Sequence, residues 1–236
     1  VDAAVAAARR AFPAWSSMPA PKRGEILFRI ARLLAEHKEE LSRLMTREMG
    51  KVLPEARGDV QEAIDVAYYM AGEGRRLFGQ TVPSEMPDKF AMAIRRSIGV
   101  VGIITPWNFP VAIPAWKLFP ALICGNTAVL KPASDTPACM VRFVELLLEG
   151  GIPDGVVNVV TGSGGEVGNA VVDHPDVKAI SFTGHTDTGV EISRRAAETL
   201  KRVSLELGGK NPIVVWEDAD LDLALDSVVW SAFGTS

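Results

Sequence analysis

From residue 99 onward the chain alternates short, β-branched apolar runs with helix-length segments, and this alternation constrains its fold more than any other feature. Val100–Thr105 is a continuous apolar run, as expected for a strand covered on both faces. Thr127–Lys131 reads as the next strand and is followed by a helix from about Pro137 to Glu149. A strand at Val156–Val160, a short helix near Glu166–Val172 and a strand at Val177–Phe182 continue the series. A helix over Asp187–Leu200 and a strand over Arg202–Leu207 complete it. Such alternation implies an α/β fold with a doubly wound parallel sheet and right-handed crossovers. Ligands bind such sheets outside the carboxyl ends of the strands. The segments to inspect are therefore Thr105–Pro110, Lys131–Asp135, Thr183–Gly189 and Glu206–Lys210.

The flanks read differently. Residues 1–80 carry helical spacing: an Ala-rich stretch from Ala3 to Phe12, then Ile26, Ile30, Leu33, Leu34, Leu41, Leu44 and Met45 three and four apart. This predicts one amphipathic helix or a broken pair, stopped by Gly50. A further helix is expected from about Pro54 to Leu77, with Val60, Ile64, Ala67 and Tyr68 on one face. In residues 82–99, Phe90, Met92 and Ile94 alternate with Ala91, Ala93 and Arg95, the period of an exposed or partner-covered strand. Asp220 to Phe233 reads as an amphipathic helix with Leu221, Leu225, Val228, Val229 and Ala232 as its apolar stripe.

Composition narrows the function classes. The net charge of -4 and interleaved acids and bases argue against a nucleic-acid footprint. Cys124, Cys139, His37, His174 and His185 show no metal-ligand spacing, so no metal site is expected. No apolar stretch reaches membrane-spanning length, because Lys117, Pro120 and Asn126 interrupt the most hydrophobic region. Two isolated cysteines and the absence of a leader pattern lead us to expect a cytoplasmic protein without membrane contact. Val1 is not an initiator Met, and residues are expected to precede it.

The strand ends carry the candidate chemistry. In Thr105-Pro106-Trp107-Asn108-Phe109-Pro110, two prolines stiffen the loop around Asn108. An Asn amide there can donate to a developing oxyanion, where such a donor is worth roughly 3–4 kcal/mol of barrier, or it can cap a turn. Lys131 at the end of its strand can meet ribose hydroxyls or a phosphate, or be a surface lysine. Gly162-Ser163-Gly164-Gly165-Glu166-Val167-Gly168 resembles a dinucleotide-binding glycine run without its G-x-G-x-x-G spacing; a tight turn is the alternative. Thr183-Gly184-His185 precedes a helix whose amides favour a phosphate, with Asp187 expected as the cap and His185 as a polar rim residue. Glu206, before Gly208 and Gly209, has the makings of a general base raised in pKa by withdrawal from water, or of an ion pair with Lys210.

In order, TPWNFP, GNTAVLKPAS, GIPDGVVNVVTG, SFTGHTDTG and LELGGKNP resemble the aldehyde dehydrogenase superfamily, as does the N-terminal AFPAWSSMPAPKRGEILFRIARLL. The resemblance covers essentially the whole chain. It implies a Rossmann-like dinucleotide-binding domain over 1–81 and 100–209, an oligomerisation arm over 82–99, and the beginning of a catalytic domain over 210–236. The catalytic residues it implies are Asn108 as oxyanion donor and Glu206 as general base. Its cofactor-binding set is Ile104, Thr105, Pro106, Trp107, Lys131, Ser134, Gly164, Gly168, Phe182, Thr183, Gly184, His185, Leu207 and Gly208. The implied reaction oxidises an aldehyde to a carboxylic acid with NAD or NADP through a cysteine thioester. Glu206 favours hydrolytic release, since coenzyme-A-acylating relatives generally lack it. The implied partners are the aldehyde substrate and further copies of the chain, in a dimer or tetramer.

The sequence departs from the family pattern in three places. Ser134 stands where NAD-preferring members often carry Glu, which leads us to expect that NADP is tolerated. His185 stands where Ser is frequent. The nucleophilic Cys is absent: in the family it follows the LELGGK segment by a few tens of residues, and Gly234-Thr235-Ser236 resembles the run leading to it. Cys124 reads as a small buried hydrophobe, and Cys139 lies where a helix start could lower its pKa. We therefore expect a chain truncated before its nucleophile and inactive by itself. The alternative is a non-catalytic cofactor-binding or assembly module, if the 236 residues are the whole protein.

Overall fold

The computed structural model describes residues 1–234. The N-terminal region forms four helices, α1 (Asp2–Ser17), α2 (Ala20–Glu36), α3 (Lys38–Met49) and α4 (Leu53–Glu73). The long periodic stretch is thus a broken pair, interrupted at His37, and Gly50 ends α3 in the left-handed region at φ 82°. Val60, Ile64 and Ala67 are buried along α4 as expected, whereas Tyr68 is exposed: at 3.6 residues per turn it falls one position off the stripe.

Next come β1 (Gln80–Val82) and β2 (Ala91–Ala93), which pair antiparallel as a two-stranded sheet of their own. Val82, Phe90, Met92 and Ile94 are all exposed. The remaining order is β3 (Val100–Ile104), α5 (Ala112–Ile123), β4 (Thr127–Lys131), α6 (Pro137–Glu149) and β5 (Val157–Val159). A single π-helical turn over Gly164–Gly168 runs into α7 (Asn169–Asp173), where one short helix was expected. Then follow β6 (Val177–Gly184), α8 (Thr186–Ala197), β7 (Arg202–Leu207) and α9 (Leu221–Phe233).

Strands β3 to β7 form one parallel sheet in the order β5-β4-β3-β6-β7. The apolar runs conceal a period of two. Val101, Ile103, Ala128 and Leu130 join the core built with α2 to α6, while Val100, Ile104 and Val129 join a second core with Val5 and Ala8 of α1, Val171, Val172 and Ile192. Both faces are covered, so both sets of side chains must be apolar. Residues 208–218 have no regular structure apart from a turn, and α9 buries none of its side chains. Asp220 caps α9 by accepting from the amides of Asp222 and Leu223. The Gly234-Thr235-Ser236 run lies partly outside the described residues.

Gly102 of β3 packs closely against side chains of the second core. A Cβ there would sit 2.7 Å from Val171 Cγ1 and 2.9 Å from Ile180 Cδ1. We expect Gly102→Ala to destabilise the protein by about 1–3 kcal/mol, as overpacking of a filled core does. Denaturant unfolding checks this; a change under about 0.5 kcal/mol, the range of neutral surface substitutions, would mean that α7 yields freely.

Candidate active site

The chain leaves β3 outward through β4 to β5, then returns to the other side of β3 for β6 and β7. Loops at the carboxyl ends of β3 and β6 therefore diverge, and a crevice opens between them. It contains a cleft of about 1050 Å³.

All but two of the sequence-derived candidates line that cleft. Ile104, Thr105, Pro106, Trp107 and Asn108 come from the end of β3, and Lys131 from the end of β4. Gly164 and Gly168 come from the π-helical turn, Phe182, Thr183, Gly184 and His185 from β6 and the residue after it, and Leu207 and Gly208 from β7 and its exit. Seven further lining residues were not singled out as binding: Gly165, Asn169, Val172, Asp187, Thr188, Glu191 and Ile192. Most lie one helical turn past a glycine or a cap that had been marked. Continuing the helical period past each marked segment would have found them.

Ser134 is not among the lining residues. It is exposed, and its hydroxyl donates to Gly162 O at 3.2 Å, tying the loop after β4 to the one after β5. Glu206 lies at the border of the cleft: Thr183 Oγ1 donates to its Oε2 at 2.8 Å and Lys117 Nζ stands 3.3 Å from the same oxygen. Its partner is thus Lys117 of α5, not Lys210. The expected withdrawal from water is not found either, since the side chain is 56% exposed. Lys117 is buried to 3% exposure, and that burial lowers its pKa against the opposing pull of Glu206.

At the start of α8 the cap is His185, whose Nδ1 accepts from the Asp187 amide at 3.3 Å; Asp187 sits in the first turn instead. The helix begins at Thr186, which makes His185 the residue at the capping position and places Asp187 already second in the helix. Lys131 is buried, and desolvation lowers its pKa, opposed by Asp135. An anion nearby would stabilise its charge.

Three observations bear on what the cleft can hold. The Thr105 hydroxyl is buried and has no hydrogen-bond partner among the described residues. Gly164, Gly165 and Gly168 have no atoms within 4 Å of where a Cβ would stand, so a ligand can approach their backbone. The N-terminal amides of α8 face the same space, with Thr188 at its edge. Glycine backbone, helix amides, a buried ammonium and an orphaned hydroxyl suit a long, anionic, hydroxyl-bearing molecule.

The loop bearing Asn108 is held from behind. Lys51 Nζ, wholly buried, donates to the Asn108 carbonyl oxygen and lies 3.3 Å from Asp59 Oδ2. Asp59 Oδ1 accepts from the Ala112 amide at 2.7 Å. The ammonium also sits 3.8 Å from the centroid of the Phe109 ring, which stacks on Trp116.

The cysteines differ from expectation. Cys124 is exposed at the end of α5 rather than buried. Cys139 is buried in α6, and burial, reinforced by the Glu48 carboxylate, pushes its thiol up instead of down. Glu48 accepts from the Ala138 and Cys139 amides and so cancels the benefit of the helix start. Neither cysteine lines the cleft. Among the described residues there is no group of three or more His, Cys, Asp or Glu placed to hold a metal, and no helix long and apolar enough to cross a membrane.

Burial pushes the Asp59 carboxyl up to about 6, with Lys51 pulling it back. An unfolded Asp titrates near about 3.9, so the folded chain binds this proton more tightly. The stability so conferred is present below about pH 4 and is lost as pH rises through about 6. The melting temperature of the parent relative to Asp59→Asn should therefore be higher at pH 4 than at pH 7; a difference that stays flat across that range would contradict it.

The sequence pattern of the "Aldehyde dehydrogenase family" matches residues 1–236. The chain is 46% identical over 231 residues to the succinate-semialdehyde dehydrogenase [NADP(+)] GabD of Escherichia coli, covering 98% of this chain and 48% of that protein. It is 43% identical over 233 residues to an alpha-ketoglutaric semialdehyde dehydrogenase of Bacillus subtilis, covering 99% and 48%. Among solved structures, an E. coli NADP dependent enzyme superposes with a TM-score of 0.96 at 46% identity, covering 98% of this chain and 48% of that one. PnpE in complex with nicotinamide adenine dinucleotide superposes with a TM-score of 0.95 at 43% identity, with 98% and 48% coverage. The chain spans about half the length of the curated relatives it matches.

Proposed function

The chain belongs to the aldehyde dehydrogenase family, and from that premise we propose that it binds NAD or NADP and supplies two catalytic groups for oxidation of an aldehyde to a carboxylic acid. The observation that carries this reading is the cleft at the strand-order reversal, with glycine backbone, helix amides and Lys131 around it and Asn108 on its wall. In this reading the helix start at Thr183, Gly184 and His185 receives the pyrophosphate, Lys131 an adenosine ribose, and Ile104, Trp107 and Leu207 the flat faces of the rings. A bound dinucleotide supplies the hydride acceptor at its nicotinamide ring.

The chain's own residues do the rest of what is assigned to it. The Asn108 side-chain amide donates to the aldehyde oxygen as that oxygen gains negative charge. Glu206 removes a proton from the attacking group or from the water that releases the acid. Thr183 and Lys117 both hold Oε2, which leaves Oε1 to accept that proton. The thiol nucleophile of the family is assigned to chain outside these 236 residues, since neither Cys124 nor Cys139 lines the cleft. Residues 1–81 and 100–209 form the dinucleotide-binding domain in this proposal, 82–99 the arm that joins copies into a dimer or tetramer, and 210–236 the opening of a catalytic domain. A cytoplasmic location and a semialdehyde or simple aldehyde substrate complete it. The names of the relatives support the substrate class.

Ser134 is small and neutral and is engaged with Gly162, so it opposes no 2′-phosphate beside Lys131. Titration of the intact protein should show NADP binding as well as NAD, and Lys131→Ala should weaken NADP more than NAD; binding of NAD alone would overturn the NADP assignment. In steady-state kinetics on the intact protein, Asn108→Ala should lower kcat by about 10²–10³-fold, as loss of an oxyanion donor does, with cofactor affinity kept. Glu206→Gln should lower it by about 10²–10⁴-fold, as loss of a general base does. If either variant keeps the parental kcat, its assigned role is wrong.

A further inference from the structure

Lys51 belongs to none of the motifs that mark the cleft, yet it is buried against the loop that carries Asn108. It lies just past Gly50, the residue that ends α3, and its ammonium stands beside the Asn108 carbonyl oxygen, Asp59 Oδ2 at 3.3 Å, Glu55 Oε1 at 4.0 Å and the Phe109 ring at 3.8 Å. Asp59, on α4, reaches past it to the Ala112 amide that opens α5. The backbone of residues 105–112 is thus held at both ends. Thr105 N donates to Lys131 O at 3.2 Å beside the sheet, and the Lys51–Asp59 pair grips Asn108 and Ala112 on the far side.

This arrangement is costly unless it is used. Taking an ammonium and a carboxylate wholly out of water is penalised by lost solvation, and an apolar pair of equal volume is often no less stable. The geometry returns more than a contact between ions. The direction of the Asn108 side chain follows from the orientation of its own peptide, and a carbonyl bonded to a fixed cation cannot rotate freely. The side-chain Oδ1 of Asn108 is buried with no partner among the described residues, so no hydrogen bond to that oxygen fixes the amide.

We infer that Lys51 is a positioning residue: its buried ammonium fixes the Asn108 peptide, and with it the side-chain amide aimed at the developing oxyanion. This rests on the oxyanion role proposed above for Asn108. An amide displaced by about 1 Å loses much of its effect, because preorganised donors act only at the place where charge appears.

The test uses the intact protein. Lys51→Met alone leaves Asp59 buried and unpaired and can unfold the chain, so it is paired with Asp59→Asn, whose Oδ1 still accepts from the Ala112 amide. In the double variant we expect a folded protein with kcat lowered about 10- to 100-fold, with KM for the aldehyde and affinity for NADP within about twofold. Amide exchange should rise in residues 105–112. Placed on an Asn108→Ala background, the same two changes should lower kcat no further, which a merely structural role would not produce. A folded double variant with parental kcat, or a loss that multiplies unchanged on the Asn108→Ala background, overturns the inference. If the double variant instead unfolds, the single variants Asp59→Asn and Lys51→Arg separate the contributions: Asp59→Asn, which leaves the Lys51 ammonium on the Asn108 carbonyl oxygen, should retain more turnover than Lys51→Arg, whose larger head cannot take the same place, and equal loss overturns the inference. A parent protein that oxidises no aldehyde while binding NADP would refute the catalytic reading itself; exchange in 105–112 that then fails to rise would refute the Lys51 grip independently.

Discussion

A parallel sheet cannot be built from hairpins, and every strand after the first must be reached by a crossover that covers one face. Here the crossovers divide into two groups because the strand order turns back at β3. Helices α5 and α6 cover one face on the way out, and α7 and α8 cover the other on the return, with α1 filling the second core through Val5 and Ala8. Between β3 and β6 no crossover passes over the carboxyl ends, and the cleft is the space so left. Its polar groups are those that strand ends and helix starts expose in any such fold: amides of α8, backbone of the glycine turn, and the side chains of Thr105 just past β3 and Lys131 at the end of β4.

Burial of cations shapes the region where the two walls of the cleft meet. Lys51, Lys117 and Lys131 are all buried, on the α3–α4 connection, α5 and β4 respectively, and each next to a segment proposed to act on ligand. Two of them are paired with carboxylates, Lys51 with Asp59 and Lys117 with Glu206, and the third retains only partial compensation from Asp135. A paired buried cation fixes geometry at the expense of solvation, while an incompletely paired one favours an anion. The fold thus uses the same residue type for two tasks, and the difference lies in what stands opposite.

Much of this was legible in the sequence. The strand and helix order from Val100 to Leu207 followed from strand-length runs separated by helix-length segments, and β3 and β4, covered on both faces, are apolar throughout. What was not legible was the alternation inside those runs. Val101 and Ile103 point to one core and Val100 and Ile104 to the other, yet all are apolar, so no polar residue marks the change of face. The π-helical turn at Gly164–Gly168 was read as part of a helix, since glycines carry no periodicity from which to infer a widened turn.

For the site, residue types at strand ends located most of the cleft, but their partners were invisible. Glu206 offered Lys210 as a neighbour in sequence, whereas the sheet brings Lys117 to it from a helix 89 positions earlier. Asp187 offered a carboxylate at the start of α8, but the helix begins one residue earlier, so His185 holds the capping position and accepts from the Asp187 amide. Cys139 illustrates the same limit: a thiol at a helix start is acidified only if the amides are free, and Glu48 arrives from α3 to occupy them. In each case the local rule is right about what the backbone offers and silent about which distant side chain accepts it. Sequence spacing therefore found most of the groups that line the cleft, while the groups that face one another, Lys51 with Asn108 above all, required the packing of distant segments against the loop after β3.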